Sequence, residues 1–94
     1  MAGSQPGKVS TLIFRDSDGV VYFFMTGPAF QKPACATSCY WVIRDDNSTS
    51  GKRTVALLME AFATGATIAV GGTNVCSRWY DGETVDSVLM TNGL

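Results

Sequence analysis

Histidine is absent from this chain of 94 residues. General acid–base and nucleophilic chemistry uses it more than any other side chain, because its charge changes near neutral pH. With no histidine to act as a base, the sequence predicts no enzyme activity. The same absence removes the commonest nitrogen ligand for zinc. Cys35 and Cys39 are spaced like half of a zinc site, but only Cys76 remains to join them. No metal and no other cofactor is expected.

Charge is scarce as well. Charged residues make up 16% of the chain, the net charge is -1, and no block of like charges occurs. A nucleic-acid partner requires a concentrated cationic footprint that releases counterions, so nucleic-acid binding is not expected. No apolar run approaches the roughly 20 residues of a membrane span. Residues 1–7 lack the basic and apolar regions of a signal peptide, so an exported form would already have lost its signal.

What remains is a chain able to bury a core, with 46% hydrophobic residues, ten glycines and polar clusters between short apolar runs. The length suits a single domain. Residues 8–15 and 20–25 are rich in β-branched and aromatic types and flank the turn cluster Asp16–Gly19, which predicts a hairpin. Pro28 and Pro33 mark 26–38 as a connection, and Cys39–Arg44 follows as a third strand. The polar stretch 45–50 is dense in capping residues and leads into a helix over 51–64, with Gly65 as its C-cap. Val55, Leu58, Met59 and Phe62 share one face at i, i+3, i+4 and i+7. That face is expected to plug the core, so that Met59→Asp should unfold the domain. Thr67–Val70 and Thr84–Met90 complete the strands. The order β-β-β-α-β-β predicts a mainly β domain with one helix, an OB-fold-like five-stranded barrel, over residues 8–94. Residues 1–7 are expected to form a flexible lead.

Several motifs carry little chemistry. Gly51-Lys52 is preceded by Asp46 where a phosphate-binding loop requires glycine and followed by Arg53 where it requires a hydroxyl. Asn47-Ser48-Thr49 matches a glycosylation sequon that arises readily by chance. Asp81, Glu83 and Asp86 are expected as solvated turn and strand-edge carboxylates rather than a catalytic pair. Three cysteines are consistent with one disulfide and one spare thiol in an oxidising compartment, or with three buried thiols in a reducing one. The stretch 71–83 is the most informative: Trp79 and Tyr80 lie beside Thr73, Asn74 and Asp81. Aromatic faces beside amide and carboxylate groups suit a sugar, so these five residues are the candidate glycan-binding set.

The helix Ala56–Gly65, the strand Thr67–Gly71, and Cys76-x-x-Trp79 followed by Glu83-Thr84-Val85 together resemble small secreted bacterial proteins similar to the B subunits of subtilase cytotoxin. The likeness covers the C-terminal half. It implies an OB-like barrel, secretion or a periplasmic location, and a homopentameric ring that binds cell-surface glycans beside an enzymatic A subunit. The helix would line the centre of that ring. It also implies a disulfide from Cys35 to Cys76, with Cys39 to Cys76 as the alternative. In the toxin subunits a serine and a tyrosine near the first strand contribute to the sugar site, whereas residues 3–8 here supply Ser4 and no tyrosine. A protein-interaction module without a sugar site is the competing expectation.

Overall fold

The computed structural model describes residues 3–45 and 47–90. The outermost residues of both expected segments, 1–2 and 91–94, lie outside the described residues, as does Asp46 within the capping stretch. The described elements are strands β1 (Ser4–Gly7), β2 (Val9–Phe14), β3 (Val21–Met25) and β4 (Trp41–Val42), helix α1 (Thr49–Thr64), and strands β5 (Ile68–Gly72) and β6 (Glu83–Met90).

The expected hairpin forms between β2 and β3. Arg15 N–H donates to the Val20 carbonyl at 3.0 Å, and Gly19, at φ 72°, closes the turn. Alternation along β3 buries Val21, Phe23 and Met25 and leaves Tyr22 and Phe24 half-buried on the other face. The third expected strand is shorter than predicted. Only Trp41 and Val42 pair, antiparallel to β3 and parallel to β6.

Residues 4–7 are not a flexible lead. They form β1, antiparallel to β5, with Ser4 opposite Gly71 and Gly7 opposite Ile68. Pro6 is tolerated because β1 ends the strand order and its outer side is bridged at Ser4, to Phe30, rather than at Pro6. Gly7 then turns the chain with φ 141°, and a Cβ there would strike the backbone of Gly27.

The sheet is six-stranded and mixed, in the order β1-β5-β6-β4-β3-β2. It is not a closed barrel: β1 and β2 stand at opposite ends of this order and are joined through Lys8 rather than by pairing.

The core is built on Trp41, Phe23, Leu58, Ile68, Val70 and Val42, all fully buried. Trp41 meets the demand of its indole N–H by donating to Gln5 Oε1 at 2.8 Å, and Gln5 in turn donates to the Gly27 carbonyl. A buried polar group without such a partner would be costly. Helix α1 is capped as expected, by the Ser48 hydroxyl accepting from Gly51 N–H and by Gly65 in the left-handed region. Its buried face keeps Leu58 and Val55 of the four predicted residues and loses the other two. Gly51, Leu58 and Ala61 face inward and Val55 and Leu57 pack beside them, whereas Met59 and Phe62 are about half exposed. The helix approaches the sheet through its small residues, which rotates the stripe away from the bulky ones. Met59→Asp is therefore no test of the core. No helix among the described residues is long and apolar enough to cross a membrane.

Candidate functional site

The face of β3 turned away from the core carries Tyr22 and Phe24, and Tyr40 stands beside them just before β4. The Tyr40 ring centroid lies 5.0 Å from that of Tyr22 and 5.8 Å from that of Phe24. Trp79, from the loop between β5 and β6, completes an aromatic recess of about 270 Å³ together with Arg15 and Val20. Arg15 is fixed there. Its guanidinium carbon lies 4.4 Å from the Trp79 ring centroid and 5.7 Å from that of Tyr22. Two hydrogen bonds, of 2.9 and 2.7 Å, tie it to the Asp18 carboxylate. The same hydrogen bonds raise the Arg15 pKa and lower that of Asp18. Such a bidentate pair holds a guanidinium plane in one orientation.

Asp81 holds the recess from behind, accepting from the Tyr40 hydroxyl and, at 3.0 Å, from the Ser38 hydroxyl. Burial, assisted by the bond to Asp81, pushes the Tyr40 phenol up to about 12. Ser38 N–H also donates to the Asp81 carbonyl at 3.1 Å. The Cys35–Cys76 disulfide, with Cα atoms 6.1 Å apart, joins these two segments covalently. It is the pairing the family resemblance implies. Cys39 is an exposed free thiol.

The five expected binding residues separate into two groups. Trp79 lines the recess, Asp81 positions Tyr40 behind it, and Tyr80 stacks beside Trp79 at 5.5 Å with 75% of its surface exposed. Thr73 and Asn74 do not line it. The Thr73 hydroxyl donates to the Thr84 carbonyl at 3.2 Å. Asn74, at φ 70°, donates its backbone N–H to Glu83 Oε2 at 2.9 Å. Both therefore secure the root of the loop.

Glu83 is also a correction, because it is fully buried rather than solvated. Its Oε2 accepts from Gly3 N–H at 3.0 Å as well as from Asn74, while its Oε1 has no hydrogen-bond partner among the described residues. Asp86 is exposed, as expected of a strand-edge carboxylate.

Sequence inspection missed Arg15, Tyr22, Phe24 and Tyr40. The signal was present in the unbroken run Val20–Met25: a strand alternates its side chains, so a sheet covered on one face must turn half of such a run outward.

Comparison of the chain with protein-family models, curated proteins and solved structures finds no match to any of them.

Proposed function

We propose that this protein is a non-catalytic, exported glycan-binding domain with an OB-like architecture, and that its sugar site is the recess formed by Tyr22, Phe24, Tyr40 and Trp79. The observation that carries this reading is four aromatic side chains gathered around a cavity outside the core. Aromatic faces cover the apolar C–H face of a pyranose, and the fixed Arg15 guanidinium and the Tyr22 hydroxyl supply directional contacts. Asp18 neutralises Arg15, which favours an uncharged or weakly polar ligand over a phosphate backbone.

The sheet order supports the OB-like reading. Its two end strands are consecutive in the chain, as they are when one long bent strand serves both ends of such a barrel. OB folds bind oligosaccharides and oligonucleotides on the face of their second and third strands, between two loops. With β1 and β2 taken as one bent strand, those loops correspond to the 15–20 turn and residues 73–82, which flank the recess. The disulfide suits an oxidising compartment. A shallow single site binds weakly, and a homo-oligomer, pentameric if the toxin resemblance holds, would gain through avidity beside an enzymatic partner subunit.

A glycan array probed with the oxidised protein tests this. Binding to a defined sugar, weakened at least about tenfold (roughly 1.4 kcal/mol) by Trp79→Ala, is the expected result. No binding to any glycan would overturn the reading. The alternative, a protein-interaction module, is favoured by the half-exposed Phe14, Met59 and Phe62.

A further inference from the structure

A larger recess lies elsewhere. A groove of about 500 Å³ runs between α1 and the β2–β3 hairpin, within the size range of small-molecule sites. Phe14 and Val21 form one wall, and Val55, Ala56 and Met59 form the other. Phe14 and Met59 each leave about half of their surface exposed.

Two charged residues line this groove whose side chains make no hydrogen bond or ion pair among the described residues. Lys52 stands in the first turn of α1. A cation there opposes the helix dipole, whose positive end lies at that terminus, and the first turn carries no acidic residue to offset it. Lysine is a good helix former at an exposed position, and its ammonium at the groove is free to meet an anion. On the hairpin side stands Asp16. Arg15 also lines the groove, but its charge is satisfied by Asp18.

The groove thus presents an ammonium from the helix, a carboxylate from the turn and apolar walls. A fatty carboxylate would satisfy Lys52 and leave Asp16 beside an apolar chain; a sugar would leave the walls unfilled. We propose that the groove binds a short apolar peptide, a dipeptide or tripeptide with free ends, its carboxylate toward Lys52 and its ammonium toward Asp16. Its side chains pack on Phe14, Val55 and Met59. This site shares Arg15 alone with the aromatic recess and does not rest on the glycan reading.

Titration of the isotopically labelled protein with leucyl-phenylalanine, followed by NMR, tests the proposal. Saturable shifts are expected at the methyl groups of Val55, Ala56 and Met59, with a Kd of about 0.1–1 mM. Amidating the peptide C-terminus or acetylating its N-terminus should each weaken binding at least about fivefold, close to 1 kcal/mol. Lys52→Gln should abolish the preference for the free acid, and Asp16→Asn the preference for the free amine. Ala56→Trp, which fills the groove from an exposed position, should remove binding and leave the circular dichroism spectrum unchanged. The proposal is overturned by equal binding of blocked and free peptides, or by no saturable shift below about 10 mM. Shifts of the same methyls that follow protein concentration without peptide would also overturn it, and would identify a second copy as the occupant.

Discussion

Tyr40 is held on two sides, by the rings of Tyr22 and Phe24 and by its hydroxyl bond to Asp81. Its folded pKa, pushed up to about 12, exceeds the ordinary phenol value. The fold therefore favours the neutral form, and this contribution to stability is complete below about pH 10. It is lost as the pH rises through the folded value. A rapid alkaline jump monitored by phenolate absorbance should show one phenol ionising near pH 12. Tyr40→Phe should remove that step, and Asp81→Asn should move it toward lower pH.

Single residues were also where the sequence was hardest to read. Trp79, singled out by its polar neighbours in sequence, lines the aromatic recess. The burial of Glu83 was not legible, because it depends on N–H groups of Gly3 and Asn74, 80 and 9 residues away. Lys32 is similar: its ammonium lies 4.3 Å from the Trp41 ring centroid, and burial lowers its pKa. Nothing in the local sequence announces that contact.

At the scale of elements, α1 shows which signals are local and which are not. Its caps were legible, because Ser48 and Gly65 act within a turn of themselves. The face it buries was half legible: Leu58 and Val55 belong to the predicted stripe, but a hydrophobic stripe weighs bulky side chains above small ones and so passes over Gly51 and Ala61 in favour of Met59 and Phe62. Leu58→Ala should therefore cost about 2–5 kcal/mol in denaturant unfolding, as expected for a fully buried leucine. Met59→Asp, on the half-exposed side, should cost less than about 1 kcal/mol. Equal losses from the two would contradict the orientation of the helix. β4 was predicted longer than it is for a related reason. Apolar character marks 40–43 as buried or half-buried, but pairing is fixed by partners in β3 and β6 that the segment itself does not encode.

The whole molecule depends on contacts between distant parts of the chain. The disulfide spans 41 residues, and a chain-entropy estimate for such a loop is about 4 kcal/mol at most. Replacing Cys35 and Cys76 with serine should lower unfolding stability by about 2–4 kcal/mol. It should also increase quenching of Trp79 fluorescence by acrylamide, because the loop that carries Trp79 loses its tie to Ser38 and Tyr40. Unchanged stability would mean that the surrounding loops are held by their hydrogen bonds alone. The order of elements around the helix was legible in the sequence; β1 was not, because Pro6 and Gly7 read as a break until β5 supplies their partner. That pairing sets a schedule for the newly made chain. Ser4–Gly7 leave the ribosome early, and their partners Ile68–Gly71 come late. Until then β1 lacks its partner strand, and Cys35 and Cys39 emerge before Cys76. In an oxidising compartment entered during synthesis, the first sulfurs free to join would be the wrong pair, and native pairing would then require slow oxidation or a disulfide isomerase.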